Sequence, residues 1–125
     1  MKQNNKNVSN FKKGSVEMLL LHLLDTEGDC YGYQMTQLIS EKSKGVLIIP
    51  EGSMYPTLYK LIDNNYISDY KKLVGKRMTR VYYHLEDVGR ERLKELVEDY
   101  AEVTQAIQDI LGVSTVENEL RENAN

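Results

Sequence analysis

The sequence predicts an α+β fold, mostly α: three short helices, a basic two-stranded hairpin, then one long C-terminal helix. Three observations carry this expectation. Apolar residues recur at helical spacing in three stretches between residues 15 and 65. β-Branched and aromatic residues flank a turn containing Gly75, as in a hairpin. From Glu86 to Leu111 a helical pattern runs without interruption.

Residues 1–13 carry Lys2, Lys6, Lys12 and Lys13 and no acid, and are expected to form a flexible basic arm. The stretch "GSVEMLLLHLLDTEG" follows, with Ser15 as candidate N-cap and Gly28 as stop. Its leucines point to nearly all sides, which predicts burial on several faces. In "CYGYQMTQLISEKSKG" a second helix should start near Gly32 or Tyr33 and end by Gly45, burying Met35, Leu38 and Ile39 with Lys42 at the edge. "VLIIP" reads as a short connection. The third helix comes from "PEGSMYPTLYKL" and runs to about Asn65, with Met54, Leu58, Leu61 and Ile62 on its buried face. Pro56 lacks the N–H that a helix interior uses, so it suits only the first turn. That reasoning places the start close to Gly52 or Ser53.

In the hairpin, Tyr66, Ile67 and Tyr70 supply apolar surface on one strand and Val81, Tyr82, Tyr83 and Leu85 on the other. Between Lys71 and Arg80 there are five cations (Lys71, Lys72, Lys76, Arg77, Arg80) and no acid. On the last helix Leu93, Tyr100 and Ile107 repeat by sevens, as do Leu96, Val103 and Ile110, and Val97, Thr104 and Leu111. A helix over residues 86–111 is about 39 Å long and outreaches a core of three short helices. Its stripe is expected to pack on a second copy of the chain, through Leu93, Leu96, Val97, Tyr100, Val103, Ile107 and Ile110. The order describes a winged helix-turn-helix domain over residues 14–85, a dimerisation helix over 86–111 and a disordered acidic tail over 112–125.

The chain has 125 residues and begins with Met1, so a complete single-domain protein is expected. No apolar run approaches the ~20 residues of a membrane span, and no small-residue cleavage site follows the basic start. Cys30 is the only cysteine, which suits a reducing cytoplasm and a structural thiol. The net charge of −3 hides a division: residues 1–85 carry 12 Lys+Arg against 8 Asp+Glu, and residues 86–125 carry 4 against 11. Such asymmetry points to a nucleic-acid surface on the basic part. His22 and His84 fall in different elements without metal-ligand spacing, and the glycines mark turns rather than a phosphate loop. No enzyme, cofactor or metal site is expected.

Opposite the buried stripe of the third helix lie Ser53, Thr57, Lys60 and Asn64. Short hydrogen-bonding groups plus one cation on one face are what a recognition helix needs to reach base edges and phosphates. Tyr55 and Tyr59 lie on the flank, where each contacts sugar–phosphate or packs on a neighbouring helix, and packing is the expectation for Tyr59. The five hairpin cations, Lys76 and Arg77 at the tip among them, fit a wing laid along the DNA backbone or in a minor groove. The rival reading is a winged-helix dimer that binds a protein instead of DNA.

The stretches "GSVEMLLLHLL", "YGYQM", "GSMYPTLYKL", "YYHL" and "VGRERL" together resemble the PadR family of bacterial transcriptional regulators, over about residues 12–111. The resemblance implies a homodimer whose last helix packs across the two-fold; such a dimer should read a pseudo-palindromic operator in double-stranded DNA and, by occluding a promoter, repress transcription. The resemblance also implies DNA contacts from Tyr33, Ser53, Tyr55, Pro56, Thr57, Lys60 and Arg80. The wing departs from the family pattern, since "KRMTRV" has Thr79 and Val81 where a proline and a cation are usual. Glu86 stands where a threonine often caps the last helix, leaving Asp87 to take over. In some small relatives an aromatic residue on the last helix stacks on planar drugs at the dimer centre. Tyr100 falls at that position, with Thr104 one turn on and Met18 and His22 facing it from the first helix. A small planar or phenolic effector is the partner this implies.

Overall fold

Leucine on nearly every side of a helix has one stable solution: the helix is surrounded by the rest of the fold. In the computed structural model, which describes residues 2–113 and side chains from Ser15 onward, that helix is α1 (Lys2–Glu27). Leu20, Leu21, Leu23 and Leu24 are all buried, whereas His22 is exposed. α1 begins at Lys2 instead of Ser15, so most of the stretch read as a basic arm belongs to the helix. Neither proline nor glycine occurs before Gly14 to interrupt it.

After α1 come β1 (Cys30–Tyr31), α2 (Gly32–Lys42) and α3 (Glu51–Asp63). Met35 and Ile39 of α2 and Met54, Leu58 and Leu61 of α3 are buried on the expected stripes, while Leu38 and Ile62 stay half-buried. Between the two helices Ile49 is buried, but Val46 and Ile48 of the same connection are exposed.

β2 (Ile67–Val74) and β3 (Met78–Leu85) form the hairpin, paired antiparallel from Ile67 opposite Leu85 to Val74 opposite Met78. β1 adds a third strand that sequence periodicity does not reveal, giving the order β1-β3-β2. Cys30 pairs with Tyr83 and Tyr31 with Tyr82. One sheet face is core, with Cys30, Ile67, Tyr83 and Leu85 buried. Tyr31, Tyr70, Tyr82 and Lys72 alternate onto the other, which leaves the tyrosines free to meet one another.

α4 (Asp87–Leu111) completes the order and ends before Gly112. Packing divides the chain after Leu93 rather than at residue 86, the boundary read from the pattern. The reason is that the first two turns of α4 belong to the winged domain. Gly89 and Leu93 are buried there, and Arg90 and Arg92 bond Asp25 and Glu17 of α1 at 3.1 and 3.0 Å. Leu93, counted with the dimer stripe in the sequence, is therefore part of the chain's own core. The acidic tail beyond Val113 lies outside the described residues. Among those described, no helix is long and apolar enough to cross a membrane.

Candidate nucleic-acid interface

α3 starts with Pro50 as its N-cap residue, in extended conformation, and its carbonyl accepts from the amides of Ser53 and Met54 at 3.0 Å. Pro56 consequently sits in the second turn, not the first as its chemistry suggested. The group that loses an amide partner is the Gly52 carbonyl, and Gly52 is exposed with no neighbouring atom near its Cα side. Water can take the place of the missing N–H, which is why the proline is tolerated one turn deeper.

The polar face of α3 carries half-buried Ser53 and Thr57 and exposed Lys60 and Asn64. The Thr57 hydroxyl donates to the Ser53 carbonyl at 2.9 Å, and Asn64 Nδ2 donates to the Lys60 carbonyl at 3.1 Å. These bonds hold the two side chains against their own helix and leave the Thr57 oxygen and the Asn64 carbonyl with acceptor capacity that the bonds do not use. Lys60 remains as the extended cation of this face.

Of the two flanking tyrosines, Tyr55, for which contact with DNA and packing were both open, is the one that packs. Tyr55 is half-buried, and its hydroxyl lies so close to α2 that a Cβ on Gly32 would be 2.5 Å from it. Burial, then Glu51 and Tyr59, push the Tyr55 hydroxyl above its usual pKa. Tyr59, expected to pack, is 57% exposed, with its ring 6.3 Å from that of Tyr55. Tyr33 on α2 is also exposed, as is Pro56.

On the hairpin, Lys71, Lys76 and Arg77 are exposed at or near the tip, together with the apolar Leu73 and Met78. Arg80 differs. It is half-buried, and its guanidinium carbon lies 4.2 Å from the centre of the Tyr31 ring. Lys72 reaches the Tyr82 ring at 5.3 Å. Behind these cations Tyr31, Tyr82 and Tyr70 form a row: the first pair meets edge-on at 5.5 Å and the second is stacked at 5.8 Å. Asp29 closes the row, accepting from the Tyr70 hydroxyl and bonding His84 Nδ1, both at 2.8 Å. Burial alone would raise the Asp29 carboxyl, but the bonds from His84 and Tyr70 and the charges of His84 and Lys72 outweigh it and hold it below its ordinary value. The Asp29 bond in turn raises Tyr70. This row was missed in the sequence, because only the register of β1 brings Tyr31 beside Tyr82.

The remaining site candidates fall in two groups. Met18, half-buried, and His22, exposed, lie on α1 in the first unit, and Tyr100, exposed, and Thr104, half-buried, lie on α4 in the second. Along that part of α4, Leu96 is half-buried, while Val97, Tyr100, Val103, Ile107, Ile110 and Leu111 are 44–84% exposed in a single chain.

Three helices, a short strand against a basic hairpin, and a polar outer face on the third helix define a winged helix-turn-helix protein. A model of the transcriptional regulator PadR-like family matches residues 20–95. The chain belongs to that family. It is 31% identical over 99 residues to an uncharacterised protein of Lysinibacillus sphaericus, covering 79% of this chain and 90% of that one. Among solved structures, a transcriptional regulator from Clostridium thermocellum is similar at 29% identity and a TM-score of 0.73, over 80% of this chain and 96% of the other. Bacillus subtilis PadR, solved in complex with operator DNA, is similar at 25% identity and a TM-score of 0.60, over 66% of this chain and 46% of PadR.

Proposed function

We propose that the chain acts as a homodimeric transcriptional repressor that binds a pseudo-palindromic operator in double-stranded DNA and is released by a small planar or phenolic ligand. The observation that carries the reading is the joint exposure of Lys60 on α3 and of the wing cations Lys71, Lys76 and Arg77 in a chain of this family. Ser53, Thr57 and Lys60, with Tyr33, Tyr55 and Pro56 beside them, face the major groove, and Lys76, Arg77 and Arg80 engage the backbone. The operator complex of Bacillus subtilis PadR supports DNA as the partner. The exposed apolar stripe of α4 supports a dimer, since such a stripe in water is unfavourable until covered. Two copies related by a two-fold read half-sites about 34 Å apart or a multiple of that distance. Occupying a promoter in this way blocks transcription. Met18, His22, Tyr100 and Thr104 are the residues assigned to that ligand, whose binding alters the spacing of the two heads.

The test is fluorescence anisotropy of the purified protein with duplex DNA from upstream of its own gene, across a salt series. About six phosphate contacts per dimer predict a fall in affinity of roughly 10³-fold between about 50 and 200 mM salt. Lys60→Ala with Arg80→Ala should weaken binding and flatten that slope. If neither this fragment nor non-specific duplex binds at low salt, DNA is the wrong partner and the surface binds protein. Titration with planar cationic dyes, followed through tyrosine fluorescence, tests the ligand; no change in emission would refute it.

A further inference from the structure

Lys72 and Arg80 occupy directly opposite positions on β2 and β3, with no acid in the sequence between Lys71 and Arg80. Like charges facing each other across strands repel and would splay apart in water. Here each is drawn to an aromatic ring instead, Arg80 to Tyr31 and Lys72 to Tyr82. A ring beneath the guanidinium carbon, at 4.2 Å, restrains the group from one side. All five N–H donors lie in its plane and stay available at its edge, and that edge is the part which grips a phosphate in two-point fashion. A lysine at the same place would offer a point charge without a defined edge.

We infer that Tyr31 is a positioning residue for DNA binding: its ring holds the Arg80 guanidinium in the orientation that presents two donors to a backbone phosphate. The inference rests on the DNA-binding reading above. Tyr31 is itself held in place. Its backbone pairs with Tyr82 across β1 and β3, its ring meets the Tyr82 ring edge-on, and Tyr82 stacks on Tyr70. The Tyr70 hydroxyl is tied to Asp29, two residues before Tyr31 in the chain. The row thus begins and ends on the same short segment and crosses all three strands between. Arg80 is ordered before DNA arrives, so less freedom is lost on binding than for the exposed Lys76 and Arg77.

A double-mutant cycle on the full chain tests this, with a fluorescein-labelled mixed-sequence duplex at low salt and at several higher salt concentrations. Tyr31→Phe keeps the ring and should bind within about two-fold of wild type. Tyr31→Leu removes the ring and should weaken binding by up to about five- to thirty-fold, the most that ordering by one exposed cation–π contact in each of two copies supplies. The salt slope should not change, because the Arg80 charge remains. Arg80→Ala should lower both affinity and slope, and in that background Tyr31→Leu should have no further effect. If Tyr31→Leu costs the same with or without Arg80, or if Tyr31→Phe is as weak as Tyr31→Leu, Tyr31 does not act through Arg80. Wild-type protein that binds no duplex at all would overturn the DNA reading itself, and this proposal with it. Thermal melts of each variant separate a folding defect from a binding defect, and recovery in Tyr31→Phe is the result that a purely structural role for the phenol would not give.

Discussion

Gly89→Ala should be more damaging than any ordinary helix substitution of its size. In an open helix, alanine is better than glycine by about 1 kcal/mol. At Gly89 the added Cβ runs into the backbone carbonyl oxygen of Tyr66 and comes within 2.8 Å of Leu85 Cδ1. The Leu85 side chain can move, but the carbonyl is held, since it accepts the Glu86 amide at 3.0 Å. Overpacking costs about 1–3 kcal/mol, and weakening that hydrogen bond adds about 1 kcal/mol. Set against the helix preference, the net loss is about 1–3 kcal/mol. A loss of about 2 kcal/mol lowers Tm by roughly 10 °C in a domain of this size. Gly52→Ala is the matched control, because nothing lies within 4 Å of a Cβ there. It should leave Tm unchanged or raise it slightly. Thermal denaturation by circular dichroism, at one protein concentration for all variants, reads both. A Gly89→Ala protein that melts at or above the wild-type temperature would refute the close approach of α4 to Tyr66.

Leu58→Ala, at a position with no solvent exposure, should cost about 2–5 kcal/mol in urea denaturation and carry DNA binding down with it. Ile107→Glu should dissociate the proposed dimer: each copy loses about 1 kcal/mol of half-completed burial and must bury a carboxylate, so sedimentation equilibrium should show Kd rising on the order of 10³-fold. The Asp29 carboxyl is held below its ordinary value of 3.8, so its bonds stabilise the fold above that pH and are lost as pH falls through the lower folded value. Melting wild type and Asp29→Asn from about pH 7 down to about pH 3 should therefore show the gap between them closing at the acid end.

The order of helices and hairpin was legible because burial imposes a period, and Met54, Leu58 and Leu61 obey it. What escaped detection depends on contacts between segments distant in sequence. β1 has two residues, too few for any alternation, yet it brings Tyr31 to Tyr82 and so gives Arg80 its stacking partner. Pro56 misled through a sound rule applied without its exception: the carbonyl it deprives of an amide belongs to an exposed glycine. Tyr55 and Tyr59 share one flank of α3, and only the position of Gly32 decides which of them packs. Leu93 fits the heptads of α4 as well as Ile107 does. Periodicity reports that a face is covered, not whether the same chain or another covers it.

Cys30 has a use beyond its place in the core. Its sulfur is fully shielded and rests 3.3 Å from the Gly28 carbonyl, and burial, then the charges of Glu27 and Asp29, push the thiol up to about 11. Near neutral pH only on the order of one molecule in ten thousand carries the reactive thiolate, and that one is out of reach of solvent. A thiol-directed reagent therefore labels the chain only when β1 detaches from β3. The labelling rate reports how much of the open form is present at the strand that carries Tyr31, and becomes the opening rate itself once reagent is concentrated enough to outpace reclosing. With no other cysteine to react, the protein supplies its own clock for how often the wing loosens, and DNA added to the reaction would slow that clock if the wing must be closed to bind.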